Sequence, residues 1–72
     1  MNNKNILDDY PREYLEHLID EWIRDWQARI MLKRHFLDGI TYEDLAEELD
    51  VSRTTVYQKI TKNFTKLRKH LQ

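Results

Sequence analysis

The nine residues Glu48–Val56, ELDVSRTTV, decide how the second half of the chain folds. Apolar Leu49 is followed by Asp50, apolar Val51 and Ser52, and Ser52 opens onto Arg53-Thr54-Thr55-Val56. Serine is a strong helix N-cap, because its hydroxyl accepts a backbone N–H from the first helical turn. Thr41, eleven positions earlier, offers a second cap of the same kind. Asp44 stands in the capping-box position relative to Thr41, and Ile40 with Leu45 forms the flanking hydrophobic staple. Val51 and Val56 are the equivalent staple around Ser52. Between the two caps there is room for a short helix over 41–49 and a turn of about three residues, Asp50 to Ser52. A short helix, a tight turn and a longer helix make a helix-turn-helix. Asp50 sits where glycine is usual, but aspartate tolerates the left-handed conformation better than most residues. A positive φ is therefore expected there.

The pattern extends in both directions. Downstream, Val56, Ile60, Phe64, Leu67 and Leu71 are spaced four, four, three and four, which predicts the inward face of a helix over 52–70. Upstream, Gly39 suits the left-handed position after a helix C-cap. Before it, Tyr14, Leu15, Leu18, Ile19, Trp22, Ile23 and Trp26 keep a three-four rhythm. Residues 10–37 are one long helix or two shorter ones. A break near Arg24-Asp25, with Asp25 as a fresh cap, is favoured because an unbroken helix would be long for so small a globule. Residues 1–9 are expected to form a flexible tail. With one Gly and one Pro in 72 residues, turns are too few for a sheet protein. The expected fold is all-α: a small bundle of four, or three, helices with a C-terminal helix-turn-helix, in one domain over 1–72.

Composition narrows the function. A chain of this size builds only a small core, with little room for an enzyme cleft, and no enzymatic activity is expected. There is no cysteine, hence no disulfide or thiolate metal site. His17, His35 and His70 are too scattered for a metal site, so no metal or cofactor is expected. The opening MNNKNILDDY lacks the apolar stretch of a signal peptide, and no apolar run approaches a membrane span. A cytoplasmic protein is expected. The net charge of −1 hides a polarity. All thirteen acids lie in residues 1–50 beside six Lys/Arg, giving −7 there, whereas residues 51–72 carry six Lys/Arg and no acid, giving +6. Such asymmetry suggests a basic surface that meets a polyanion.

The stretch Gly39-Ile-Thr-Tyr-Glu-Asp-Leu-Ala-Glu-Glu-Leu-Asp-Val-Ser-Arg-Thr-Thr-Val56 resembles region 4 of the sigma-70 family of RNA polymerase sigma factors. Those sequences have a glycine, a Ser/Thr cap, a "YEEIAE"-like run and then "IS" before the second helix. Arg29-Ile-Met-Leu-Lys-Arg-His-Phe-Leu-Asp-Gly39 is similar to the helix that precedes the motif in that family. Phe64-Thr-Lys-Leu-Arg-Lys69 is similar to its basic tail. LuxR-type regulators in the wider winged-less helix-turn-helix superfamily share the "S-x-x-T-V" helix opening. Thr54 and Thr55 replace the Glu and Arg of many primary sigma factors. The promoter-melting domain of complete sigma factors has no counterpart here, so a stand-alone region-4-like protein, bacterial or phage, is expected.

The resemblance implies double-stranded DNA as partner, with the 52–70 helix in the major groove. With Val56 and Ile60 inward, the residues expected to meet base edges are Arg53, Thr54, Thr55, Tyr57, Gln58, Thr61 and Lys62. Gln58 can pair with adenine and a threonine methyl can pack on thymine. Lys33, Arg34, Lys59, Lys66, Arg68 and Lys69 are the candidate phosphate contacts, which position without reading sequence. Tyr14, Leu18, Ile19, Trp22, Ile23 and Trp26 form an aromatic-rich stripe. Core is its ordinary reading, and an interface, including a homodimer that would double the DNA contacts, is the alternative. Two other roles compete with DNA reading. One is a protein-interaction module, because region 4 also docks on RNA polymerase and anti-sigma partners. The other is the DNA-binding part of a packaging or recombination assembly.

Overall fold

The helix boundaries follow the caps. The computed structural model describes residues 6–71, so residues 1–5 of the expected tail, and Gln72, lie outside the described residues. Residues 6–9 depart from the tail expected of them. Ile6–Asp9 is a 3₁₀ turn, and Leu7 is only 1% exposed, because this apolar side chain reaches the core. Helix α1 spans Arg12–Trp22 and follows Pro11, whose extended backbone starts the helix without a side-chain cap. Ile23 returns to an extended conformation, and α2 spans Trp26–Leu32. The Asp25 carboxylate caps α2, accepting the N–H groups of Gln27 (3.0 Å) and Ala28 (3.4 Å). The region 10–37 is thus two helices.

Helix α2 runs on into a π-helical turn, Lys33–Leu37, which nothing in the sequence pattern announces. Gly39, at φ 73°, then turns the chain. The Ile40 N–H donates back to the Arg34 carbonyl at 3.0 Å. Helix α3 spans Tyr42–Leu49 and α4 spans Arg53–Arg68. Thr41 Oγ1 accepts the Asp44 N–H at 3.1 Å, and Ser52 Oγ accepts the Thr55 N–H at 3.0 Å. Asp50 is the one non-glycine residue with positive φ among the described residues, at φ 56° and ψ 47°. Around it the Val51 N–H donates to the Ala46 carbonyl (3.0 Å) and the Asp50 N–H to the Glu47 carbonyl (3.3 Å). This pair of bonds is a Schellman closure, in which two otherwise orphaned carbonyls are satisfied.

The core lies where α4 packs against α1, α2 and α3. Ile19, Ala28, Met31, Leu32, Leu45, Val56 and Leu67 are fully buried there. On α4 the inward row is Val56, Ile60, Asn63 and Leu67. Phe64, expected inside, is half-buried at the rim and stacks on Phe36 with ring centroids 4.9 Å apart. Asn63 takes the core position, and its Nδ2 donates to the Lys59 carbonyl at 2.8 Å. That bond lets a polar side chain be buried without a large desolvation cost.

The proposed interface stripe is corrected in the same way. Leu18, Ile19 and Ile23 are 6%, 0% and 1% exposed, because α1 must spend its apolar face on α2 and α4. Tyr14 is half-buried and stacks on Tyr10. Only Trp22 and Trp26 remain exposed, at 45% and 62%.

The left-handed Asp50 sets a prediction. Glycine occupies that conformation without strain, and removing an acid from a helix C-terminus relieves an unfavourable interaction with its dipole. Asp50→Gly should raise stability by about 0.5–1 kcal/mol, seen as a higher midpoint in thermal or urea unfolding. Asp50→Val should lower it.

Candidate nucleic-acid interface

Successive residues of a helix turn by about 100°, so the buried row of α4 fixes which side chains face away from the body. Opposite it lie Thr54, Gln58, Thr61, Lys62, Thr65 and Lys69, all exposed. Thr65 belongs to this face although it was not among the expected contacts. The same four-residue step that links Gln58 to Lys62 links Thr61 to Thr65. The Thr65 hydroxyl donates to the Thr61 carbonyl at 3.0 Å, which leaves its methyl as the outward group.

The other expected base contacts are on the flanks. Arg53 and Tyr57 turn toward α3: Arg53 Nη1 is 3.5 Å from Glu43 Oε2, and the Tyr57 ring meets Tyr42 edge-on at 5.9 Å. Tyr42, Arg53, Thr54 and Tyr57 line an open hollow of about 490 Å³. Thr55 is half-buried and tied into the cap. Its N–H donates to Ser52 Oγ, and the Ser52 hydroxyl in turn donates to Thr55 Oγ1 at 2.8 Å.

The candidate phosphate contacts divide sharply. Lys33 is 2.7 Å from Asp20, and Arg34 makes a two-pronged pair with Glu48, both bonds 2.8 Å. Lys59, on the flank facing α2, bonds the Asp25 carboxylate. These three are held by acids of the same chain. Lys62, Lys66, Arg68 and Lys69 are exposed and have no acid partner among the described residues. The basic half of the sequence thus presents four unpaired cations along one side and the end of α4. The outer side of α3, with Asp44 and Glu47 exposed beside Glu43 and Glu48, is acidic. A polyanion lying on α4 therefore meets attraction on its outward face and repulsion on the α3 side.

A cap, a three-residue turn and a helix with a polar, cationic outer face make a helix-turn-helix. A family model described as Sigma-70, region 4 matches residues 26–69. The chain belongs to the sigma-70 region 4 family. Among curated proteins and solved structures, none matches. Region 4 is a DNA-binding, non-catalytic helix-turn-helix, and such domains bind DNA and the RNA polymerase core. The match to the sigma-70 region 4 model begins at the first residue of α2. Helix α1 and the Asp25 cap precede it, yet α1 supplies Leu15, Leu18 and Ile19 to the core. No helix of the described residues is long and apolar enough to cross a membrane. Homodimerisation finds no support: half of the stripe proposed for it, Leu18, Ile19 and Ile23, is buried in the chain's own core.

Asp25 joins the capping of α2 to the placement of α4. Its carboxyl is held below the ordinary value, chiefly by the hydrogen bond from Lys59 and further by the Ala28 and Gln27 N–H groups, against the opposing effect of partial burial. A carboxyl whose pKa is lowered on folding stabilises the fold fully above its unfolded value of about 4, and that contribution fades as pH falls below it. Urea unfolding followed from pH 7 down to about 3 should show the wild type losing stability faster than Asp25→Asn, which keeps the cap but not the charge. Asp25→Ala loses both and should cost about 1 kcal/mol at pH 7.

Proposed function

We propose that the protein is a sequence-specific DNA-binding transcriptional regulator whose α4 enters the major groove of double-stranded DNA. The observation that carries this is the outward face of α4. It combines hydrogen-bonding and methyl-bearing side chains with unpaired cations, whereas Arg12, Lys33 and Arg34 on the other helices are paired with neighbouring acids. In this reading Thr54, Gln58, Thr61 and Thr65 meet base edges, Gln58 being suited to adenine and the threonine methyls to thymine. Lys62, Lys66, Arg68 and Lys69 hold phosphates, which set position and affinity but not sequence. Arg53 and Tyr57 stand at the edge of the groove, where Arg53 exchanges Glu43 for a phosphate or a guanine. Thr55 acts through the cap that orients the first turn.

A second role, docking on RNA polymerase or on a sigma or anti-sigma partner, is favoured by the acidic outer side of α3. Glu43, Asp44, Glu47 and Asp50 are exposed there and suit a basic protein surface better than DNA. The two roles use different faces and are compatible.

The test is a salt titration. Four free cations predict that log affinity for duplex DNA falls with log salt at a slope of about −3.6, from roughly 0.9 per phosphate neutralised. A slope near zero, or no binding at low salt, would leave the protein-docking role alone. Thr54→Ala together with Gln58→Ala should flatten the preference among sequences by about tenfold. Lys66→Ala together with Lys69→Ala should weaken all sequences alike and make the slope shallower by about 2. Site selection from random duplexes gives the preferred sequence on which both are measured.

A further inference from the structure

The groove-reading face leaves one exposed feature unused, the corner between α1 and α2. Both tryptophans of the chain stand there, Trp22 at the last position of α1 and Trp26 at the first of α2. The corner is fixed along the flank of α4 at two points. The Trp22 ring stacks on His70 with centroids 3.7 Å and planes 4° apart, and Asp25 bonds Lys59. Lys59 and His70 are eleven residues apart, about 16 Å along a helix. Lys66 stands between them on the same flank, and Lys62 lies beside it. Arg24 projects from the corner itself. Arg24, Lys62 and Lys66 are all exposed and have no acid partner among the described residues.

The corner is rigid for so exposed a place. The Ile23 N–H donates to the Ile19 carbonyl at 2.9 Å, the Arg29 Nε–H donates to the Ile23 carbonyl, and Asp25 caps α2. Two indoles are thereby held in water beside three free cations, with His70 covering one face of Trp22 and no ring covering Trp26 among the described residues. Cations spaced along a flank call for a chain of negative charges, and a fixed, open indole calls for a flat π-face. A DNA duplex offers phosphates but keeps its base faces inside the stack. A single strand offers both, and base stacking on aromatic side chains beside a basic track is how such strands are held. A second copy of the chain fits poorly, since it would bring like charges together over an apolar area of only two side chains.

We propose that the Trp22–Trp26 corner and the adjoining flank of α4 bind single-stranded DNA, with a base stacked on Trp26 and phosphates on Arg24, Lys62 and Lys66. That the strand is DNA rather than RNA rests on the duplex-reading role of α4, with which this surface is continuous. Lys62 and Lys66 belong to both surfaces, so the site would take a strand where it leaves the duplex that α4 occupies, the two lysines standing at the junction.

Because the chain has no tryptophan elsewhere, its tryptophan fluorescence, excited beyond the absorption of the four tyrosines, reports on this surface alone. Oligo(dT) added to the full-length protein should quench that fluorescence. Trp26→Ala should weaken labelled oligo(dT) binding about tenfold or more, Trp26→Phe should keep most of it, and Arg24→Ala should weaken it less. The affinity of a labelled duplex, read by anisotropy, should be unchanged by Trp26→Ala, and circular dichroism should show each variant folded. Unquenched fluorescence with oligo(dT), in a protein that still binds duplex, would overturn the proposal while leaving the groove-reading role standing. Tighter binding of oligo(rU), or a blue shift with phosphatidylglycerol vesicles and none with oligo(dT), would overturn it in favour of RNA or an anionic membrane. A dimer in light scattering that Trp26→Ala dissolves would assign the corner to self-association instead. Quenching by oligo(dT) without any duplex binding would uphold this site and reject the role given to α4.

Discussion

Between Leu49 and Arg53 the chain has three residues in which to end one helix, reverse and begin another. The solution is local. Asp50 in the left-handed conformation lets the Ala46 and Glu47 carbonyls of α3 accept from Val51 and Asp50, and Ser52 accepts the Thr55 N–H in the first turn of α4. Three groups that the helix ends would otherwise orphan are satisfied inside the turn itself, which is what permits so tight a reversal. Once the turn is fixed, so is the rotation of α4 about its own axis. Val56 and Ile60 must then point into the space that Leu45 closes from the α3 side. The outward row from Thr54 to Lys69 follows from that rotation and from nothing else.

Charge completes what the turn begins. Along the sequence the two halves look like an acid block and a basic block, yet in space three of the five described basic residues of the first half, Arg12, Lys33 and Arg34, are paired with acids. Arg12 bonds Asp38 at 2.8 Å and Glu16 at 3.0 Å, Lys33 bonds Asp20, and Arg34 bonds Glu48. Exposed pairs of this kind add little to stability. Their effect is on the field. They neutralise Arg12, Lys33 and Arg34, so that the unpaired cations gather on α4 and at Arg24, and they leave the α3 flank acidic, so a polyanion is drawn to one side of α4 and pushed from α3. Two pairs reach α4 itself, Glu43 to Arg53 and Asp25 to Lys59, one on each flank of the helix. They neutralise cations of its first half, while Lys62, Lys66, Arg68 and Lys69 farther along have no acid partner among the described residues.

What the residues disclosed in advance was local. Thr41, Ser52 and Asp25 cap helices because capping depends on a side chain and the backbone two or three positions on. Gly39 and Asp50 mark reversals because few other residues accept positive φ. The family resemblance was carried by the same stretch of local signals. What stayed hidden depends on partners far along the chain. Nothing in Lys33–Leu37 announces a π turn, since its extra residue per turn carries no compositional mark. The choice of Lys59 by Asp25 and of Arg34 by Glu48 needs the helices packed first, so both cations read as free from sequence. Asn63 is buried and Phe64 lies at the rim, because a periodic count ranks side chains by hydrophobicity and cannot see which of two adjacent positions the rotation set at the turn carries inward. The stripe on α1 misled for the opposite reason. An aromatic-rich face suggests an interface until it is known how much of it a small bundle needs for its own core.

That last point bears on why α1 is present at all. The region 4 match begins only at α2, but the face that α2 and α4 share would be open without a further helix across it. Leu15, Leu18 and Ile19 close it. The helix also ends in Trp22, stacked on His70 just beyond the last turn of α4. Leu67 and Leu71 pack the far end of α4 against the core, while its basic residues repel one another. A flat aromatic contact there opposes fraying of the turn that carries Lys66, Arg68 and Lys69. Helix α1 therefore acts on the basic surface of α4 from a distance, helping to order the end that carries its unpaired cations.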